Sequence, residues 1–260
     1  MEINLQGKRT LVTGGNSGIG AAIANELAAA GAKVAINYVT NQAAAEQMVQ
    51  QIRSSGGEAL AVHADVASNY EVESMFNRLD REWNGIDILI NNAGIDGVHA
   101  NSWEISVKDW AKVININLIG NFYCARQALK RMVKQKSGVI LATSSVHETI
   151  AWSGHSAYTS SKAALSMLTK TMAQEAAPYN VRVLALAPGA IKTSINQDVW
   201  ANSAGLKDLL EKIPLKRIGE PEEVAKMAVV LVSDVASYIT GRTIFVDGGM
   251  TDYPDFAHGG

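Results

Sequence analysis

The chain has 260 residues, of which 47% are hydrophobic and 18% are charged. These values exclude a disordered chain and allow a large buried core. The formal net charge of −2 argues against nucleic acid as a partner, and no apolar run is long enough to span a membrane. The N-terminus lacks the basic-then-apolar pattern of a signal peptide, so we expect a cytoplasmic protein.

Short apolar segments alternate with longer helical patterns. In chain order, the predicted elements are strand RTLVTG, helix IGAAIANELAAAGA, strand KVAINY, helix QAAAEQMVQQIRSSGG, strand EALAVHAD, helix NYEVESMFNRLDREWNG, strand IDILINNAG, helix VKDWAKVININLIGNFYCARQALKRMVKQ, strand SGVILATSS, helix SAYTSSKAALSMLTKTMAQEAAPYN, strand VRVLALAPG, helix PEEVAKMAVVLVSD and strand RTIFVDGG. This alternation predicts an α/β fold with a parallel sheet covered by helices on both faces.

Regular alternation also allows an eight-fold barrel, but the glycine-rich first turn favours the open, doubly wound Rossmann-type sheet. No Pro/Ser-rich or charged segment divides the chain, so we predict one domain over 1–260 that binds a dinucleotide and carries the catalytic residues. The segment 190–220 is long for a connection and is predicted to be a substrate-binding loop or lid.

The single cysteine, Cys124, excludes an intrachain disulfide. It lies in the amphipathic pattern FYCARQALKRM, which predicts a buried structural thiol rather than a nucleophile. No metal site is predicted.

The segment TGGNSGIG joins the first strand to the first helix. Gly14, Gly18 and Gly20 allow a sharp turn and let a pyrophosphate approach the backbone without meeting a Cβ atom. The helix N-terminus adds free N–H groups and the positive end of the helix dipole. The pattern therefore predicts a dinucleotide site, and a tight turn that needs glycine only for its shape is the alternative.

The T-G-x-x-x-G-x-G spacing, with three further motifs, resembles the short-chain dehydrogenase/reductase family. The resemblance extends from Lys8 to Gly249 and implies a doubly wound sheet of roughly seven parallel strands. The further motifs are NNAG at 91–94, the set Ser145, Tyr158 and Lys162, and Pro188 with Gly189 followed by Thr193.

Tyr158 and Lys162 are four residues apart and share one face of the predicted helix. A nearby ammonium stabilises a phenolate and lowers the pKa of the phenol, so the pair can act as a general acid–base on an alcohol or carbonyl. The alternative is a packed tyrosine and a solvated lysine. The resemblance adds Ser145 as a donor to the substrate oxygen, and Asn117 as the residue that holds a water linking the lysine to solvent.

The resemblance also implies a set of residues that bind a nicotinamide cofactor. For Asp65, which matches a position that contacts adenine, capping of the third helix is the alternative. The predicted cofactor-binding residues are Gly14, Asn16, Ser17, Gly18, Ile19, Gly20, Asn37, Tyr38, Asp65, Val66, Asn91, Ala93, Gly94, Tyr158, Lys162, Pro188, Gly189, Ile191 and Thr193.

The loop NYVTN after the second strand is predicted to meet the adenosine ribose. An acidic residue there selects the free hydroxyls of NAD, and an arginine selects the phosphate of NADP. The loop has neither, so we expect NAD to be preferred, with NADP as the alternative.

Four further segments, SSVHE, IKTSIN, IGEPEE and DGGMTDYPDF, resemble bacterial glucose 1-dehydrogenases. This implies that Ser145, His147, Tyr158 and Asn196 contact a sugar, although Trp152 and His155 lie in segments that depart from those enzymes. The alternatives are a 3-oxoacyl thioester reductase, another polyol or secondary-alcohol dehydrogenase, and a non-catalytic cofactor-binding protein. A homotetramer is expected, with the tail from Tyr253 and Phe256 onward packed on a neighbouring subunit.

Overall fold

The computed structural model describes residues 3–193, 200 and 202–252. The strands in this part of the chain are β1 (Arg9–Val12), β2 (Lys33–Tyr38), β3 (Glu58–His63), β4 (Ile88–Asn91), β5 (Gly138–Thr143), β6 (Val181–Pro188) and β7 (Thr243–Val246). The α-helices are α1 (Gly18–Ala29), α2 (Gln42–Ser54), α3 (Asn69–Trp83), α4 (Val107–Ile114), α5 (Asn121–Gln135), α6 (Ser156–Ala176), α7 (Ser203–Glu211) and α8 (Pro221–Val232).

Within the described residues, seven strands form one parallel sheet in the order β3-β2-β1-β4-β5-β6-β7. The predicted doubly wound sheet is confirmed. The chain runs outward from β1 to β3 and then returns to β4 on the other side of β1. This reversal opens a crevice at the carboxyl ends of β1 and β4, where such sheets bind ligands.

The sheet is buried on both faces, which explains why its strands are apolar runs rather than alternating patterns. On β1, for example, Leu11 and Val12 point to opposite faces, and both are completely buried. Helices α1, α2 and α8 cover one face, and α3, α5 and α6 cover the other. None of the described helices is long and apolar enough to cross a membrane.

Cys124 on α5 is buried, as predicted, and its burial raises the pKa of the thiol to about 12. A thiol with this pKa stays protonated at neutral pH, so it is a packed side chain and not a nucleophile.

The long helix predicted over 107–135 is interrupted by a π-helical segment, Asn115–Gly120, between α4 and α5. The segment packs closely on the end of β3, because a Cβ at Gly120 would lie 2.9 Å from the carbonyl oxygen of Val66. It turns Asn117 into the protein and leaves Asn115 exposed. π-Helical segments of this kind are frequent at functional sites.

Candidate active site

The glycine turn after β1 forms a cradle at the carboxyl edge of the sheet. Gly14 and Gly18 have φ values of +58° and +51°, which side chains rarely adopt. A Cβ at Gly20 would overlap the carbonyl oxygen of Gly14 and lie 2.5 Å from Nδ2 of Asn92. Ser17 caps α1 with an extended backbone and makes no side-chain capping bond, and the first turn, which begins at Gly18 and Ile19, has no acidic residue. The cradle fits a pyrophosphate.

The opposite wall of the cradle comes from the ends of β4 and β6. Asn92 Nδ2 donates to the carbonyl oxygens of Thr13 and Gly14, and the backbone N–H of Ala93 donates to the hydroxyl of Thr13 at 3.0 Å. Thr193 faces the cradle, because a Cβ at Gly18 would lie 3.6 Å from its Cγ2. Three separate loops therefore enclose the site predicted for the cofactor.

Pro188 and Gly189 end β6 beside β7, and Gly189 N donates to the carbonyl oxygen of Val246. A Cβ at Gly189 would lie 2.7 Å from the Cα of Asp247, so only glycine fits there. Ile191 is buried. Asn196, predicted to contact a sugar, lies outside the described residues.

Two residues predicted to bind the cofactor have their side chains engaged inside the protein. Asn37 is buried; its Oδ1 accepts from Gly14 N, and its Nδ2 donates to the carbonyl oxygens of Val62 and Ala64. Tyr38 is buried in the core, with its ring 5.5 Å from that of His63. The side chain of Asn37 thus holds the glycine turn in place, and that of Tyr38 packs the loop; contact of these residues with the cofactor stays a prediction.

Asp65, Val66 and Asn91 surround the crevice. Helix α3 is capped by Ser68, whereas Asp65 Oδ1 accepts from Ala67 N, two residues along. The alternative, in which Asp65 caps α3, is therefore wrong, because the capping residue is Ser68. Val66 and Asn91 are buried, and Asn91 Nδ2 donates to the carbonyl oxygen of Asn121.

The predicted catalytic residues lie together at the carboxyl ends of β4 and β5. Lys162 Nζ lies 5.5 Å from the ring centroid of Tyr158 and donates to the carbonyl oxygen of Thr143 at 2.8 Å. Ser145 follows β5 and shares a hydrogen bond with Tyr158. Gly94 links this group to the cradle, because a Cβ there would lie 3.7 Å from Lys162 Nζ.

Burial shifts the pKa values of the pair. Burial raises the pKa of Tyr158, although a hydrogen bond with Ser145 lowers it, and burial lowers the pKa of Lys162 to about 8. The ammonium was predicted to lower the pKa of the phenol, but in the structure desolvation raises this pKa instead, because burial disfavours the charged form of each group.

Asn117 is completely buried and holds the loop after β4 beside the lysine. Its Oδ1 accepts from Ile95 N at 2.8 Å, and its Nδ2 donates to the carbonyl oxygen of Ile95 and to Ser161 Oγ. Ser161 Oγ in turn donates to the carbonyl oxygen of Tyr158. The π-helical segment thus fixes α6 and the loop that carries Gly94.

A stack of rings beside Tyr158 was not predicted as a unit. The ring of Trp152 lies 4.5 Å from that of His147 and 3.7 Å from that of His155, nearly parallel to both. The ring of His99 lies 5.1 Å from that of His155 and is tilted against it by 55°, and Trp152 meets Tyr158 edge-on at 6.0 Å. Trp152 remains 40% exposed, so it offers an aromatic surface at the site.

Two polar groups belong to this ring stack or lie beside it: His147 and Asp96. His147 Nδ1 lies 3.0 Å from the carbonyl oxygen of Ile150, which makes Nδ1 the protonated nitrogen and leaves Nε2 as an acceptor. Burial lowers the pKa of His147, which favours this neutral form. Burial raises the pKa of Tyr158 and lowers that of His155, and the charge of Asp96, in the loop after β4, acts to raise both. Asp96 was missed because it carries no motif.

Comparisons with known proteins agree with this geometry. A family model described as Enoyl-(Acyl carrier protein) reductase matches residues 14–251. The chain is 44% identical to 3beta-hydroxysteroid dehydrogenase 1 of Eggerthella lenta, over 98% of both chains, and 40% identical to glucose 1-dehydrogenase 2 of Bacillus subtilis, over 96% of this chain and 97% of that one.

Among solved structures, a gluconate 5-dehydrogenase from Burkholderia cenocepacia, in complex with NADP and tartrate, superposes with a TM-score of 0.92 at 33% identity and covers 96% of this chain and 98% of its own. The chain therefore belongs to the short-chain dehydrogenase/reductase family, and it is an oxidoreductase that acts on hydroxyl or carbonyl groups with a nicotinamide cofactor.

Proposed function

We propose that the substrate is a secondary alcohol, or the matching carbonyl, on a saturated six-membered ring, with a pyranose sugar such as glucose as the first candidate. The observation that carries this proposal is the exposed edge of Trp152, in the ring stack beside Tyr158. The C–H bonds of a saturated ring pack well against the exposed part of a large aromatic side chain. The hydroxyls at the edge of a sugar would bond to Asp96 and to His147 Nε2.

The alternatives fit these groups less well. The carboxylate of Asp96 disfavours an anionic substrate, because two like charges would be brought together in a partly buried site. An acyl thioester would leave the polar groups of the pocket without partners, which is costly. The 3beta-hydroxysteroid dehydrogenase among the relatives supports the inclusion of alicyclic alcohols in the proposed substrate class.

In the proposed mechanism, Tyr158 takes the hydroxyl proton during oxidation and returns it during reduction. Ser145 donates a hydrogen bond to the reacting oxygen, and protonated Lys162 stabilises the phenolate. Asn117 holds the loop of Gly94 and, through Ser161, helix α6 in place. The cradle residues Gly14, Gly18 and Gly20 hold the nicotinamide cofactor, which, when bound, supplies or accepts the hydride and in its oxidised form adds a positive charge that favours the phenolate.

The experiment that tests the substrate class is a kinetic panel with NAD and with NADP. It compares glucose, cyclohexanol, the linear polyol sorbitol and, in the reducing direction, acetoacetyl thioester. We expect the highest kcat/KM for glucose or another ring alcohol. Faster turnover of the thioester or of sorbitol would reject the ring proposal, and cyclohexanol above glucose would replace the sugar by an apolar ring.

Trp152→Ala tests the aromatic surface. We expect KM for the ring substrate to rise about tenfold with little change in kcat. The contact stabilises the bound substrate and the transition state equally, by roughly 1–1.5 kcal/mol. Trp103→Ala is the matched control, because Trp103 is 82% exposed and makes no ring contact among the described residues. An unchanged KM in Trp152→Ala would remove this residue from the substrate site.

We propose NAD as the preferred cofactor. Val39 is 48% exposed in the loop after β2, and Asn16 Nδ2 ties the glycine turn to this loop through the carbonyl oxygens of Thr40 and Asn41. Val39→Arg should raise the kcat/KM ratio of NADP over NAD, because a guanidinium pairs with the additional phosphate. Val39→Gln, which adds length without charge, is the control. An unaltered ratio in Val39→Arg would place the ribose elsewhere.

We propose that residues 190–220 act as a lid within a single domain over 1–260. The ends of this segment meet: Lys192 N donates to the carbonyl oxygen of Gly219, and Gly219 N donates to that of Ala190. The segment thus leaves and returns at one point beside the site, as loops that close over ligands do.

A cytoplasmic homotetramer remains our proposal for the assembly. Strand β7 is at the edge of the sheet and only half-buried, and Tyr238 just before it is fully exposed. Exposed edges and aromatic side chains of this kind are usually covered. The tail from Tyr253 lies outside the described residues; its deletion should shift sedimentation to a smaller species or raise KM for substrate. A monomeric full-length protein would contradict the proposal.

A further inference from the structure

A carboxylate lies behind the Tyr158–Lys162 pair. Glu148 ends the short 3-10 helix Val146–Glu148, which follows Ser145, and it is half-buried. Its Oε2 accepts a hydrogen bond from Ser144 Oγ at 2.5 Å, and its Oε1 accepts one from Ser166 Oγ at 3.0 Å. Both oxygens are held, so the negative charge has a fixed position between the end of β5 and α6.

This position is close to the buried amine of Lys162. Ser166 is four residues beyond Lys162 on α6, so the two share one face of the helix. The carbonyl oxygen that accepts from Lys162 Nζ belongs to Thr143, the residue before Ser144. Burial is the main influence on the pKa of Lys162 and lowers it, and the charge of Glu148 raises it.

Among the described residues, three other titratable groups lie around this site: Tyr158, Asp96 and His147. Tyr158 lies on the same helix as Lys162, and Asp96 faces it from the loop after β4. The ring of His147, in the turn after β5, lies 6.2 Å from the ring of Tyr158. Burial lowers the pKa of His147 and favours its neutral form. Within the described part of the chain, Glu148 is thus the carboxylate whose charge acts on Lys162, and Asp96 is the one whose charge acts on Tyr158.

We propose that Glu148 is a positioning residue that acts through Lys162: its fixed negative charge keeps the buried amine protonated, and its bonds to Ser144 and Ser166 hold the Ser145 segment against α6. A neutral lysine cannot stabilise a phenolate, so the charge of Glu148 extends to higher pH the range in which the pair works. This inference goes beyond the substrate proposal and does not depend on it.

The direction of the effect follows from the charges. In carbonyl reduction the active pair has a protonated tyrosine and a protonated lysine. A nearby negative charge favours the protonated form of either group, so its removal makes the pair lose its first proton at lower pH, whichever group loses it. The alkaline limb of the reduction profile should therefore move to lower pH when the charge is removed.

The test is Glu148→Gln, which removes the charge and keeps the shape of the side chain. The primary measurement is an NMR titration of the lysine ε-methylene carbons in the full-length protein, with the Lys162 signal assigned as the one lost in Lys162→Met. It needs no substrate. We expect the Lys162 midpoint to fall by roughly half a pH unit or more. The alkaline limb of kcat/KM for ketone reduction should fall in parallel, with the best ketone of the panel as substrate.

Three controls separate charge from structure. Ser144→Ala and Ser166→Ala each remove one hydrogen bond and keep the charge, and Glu148→Asp keeps the charge on a shorter side chain; all three should retain a midpoint near that of the parent protein. A parent-like midpoint in Glu148→Gln would overturn the proposal. So would an equal shift in Ser144→Ala, because the effect would then come from the turn and not from the charge.

Discussion

Tyr158→Phe is expected to lower kcat/KM by about 10²- to 10⁴-fold, the range that a general acid–base contributes. The change removes the hydroxyl that shares a hydrogen bond with Ser145 and keeps the ring that packs against Trp152 and His147. Because the lost interaction acts in proton transfer, the decrease should appear in kcat. Steady-state kinetics in both directions is the measurement.

The same variant should bind the cofactor with nearly unchanged affinity, which quenching or enhancement of NADH fluorescence would report. The glycine cradle on β1 does not involve the phenol oxygen. Retention of most of the activity would assign the proton transfer to another group. A loss of both activity and cofactor binding would indicate that the hydroxyl supports the cofactor site instead.

Gly20→Ala is expected to have the second largest effect, a loss of cofactor affinity of at least about a hundredfold. The added Cβ would overlap the carbonyl oxygen of Gly14 and press on Nδ2 of Asn92, both of which belong to the link between β1 and β4. The first is a backbone atom, and the second is held by hydrogen bonds to the carbonyl oxygens of Thr13 and Gly14, so the turn itself must move. Overpacking of this kind costs roughly 1–3 kcal/mol or more. Titration with NADH and the thermal midpoint measure the two effects.

Gly56→Ala is the matched control. Gly56 has a positive φ, +85°, which Gly20 does not, but a Cβ there would meet nothing within 4 Å, and it lies at the end of α2. This variant should lose about 1 kcal/mol of stability from the backbone conformation and keep its cofactor affinity. If Gly20→Ala bound NADH as tightly as the parent protein, the cradle would not be the pyrophosphate site.

Much of the architecture is visible in local patterns. Each strand is a short apolar run and each helix a longer periodic one, and their alternation leaves few topologies open. The glycine turn, the i,i+4 spacing of Tyr158 and Lys162, and the buried thiol of Cys124 are also local features. The shared edge of the sheet then places the ends of β1, β4, β5 and β6 together.

Two differences from what the local patterns suggest depend on non-local contacts. The apolar pattern of 107–135 does not reveal the π-helical segment, because the close approach of Gly120 to Val66 belongs to two distant parts of the chain. Asn37 and Tyr38 end β2, where the predicted cofactor loop begins, and the tertiary structure buries both side chains.

By itself, the sequence determined the fold class, the glycine cradle and the helix face shared by the acid–base pair, because period and spacing along the chain specify them. The tertiary structure alone decided the surroundings of that pair. Trp152 and Glu148, in the connection between β5 and α6, and Asp96, in the loop after β4, converge on Tyr158 and Lys162. Burial and fixed charges at these distances set the pKa values and the shape of the pocket, and both depend on which distant segments the fold brings together.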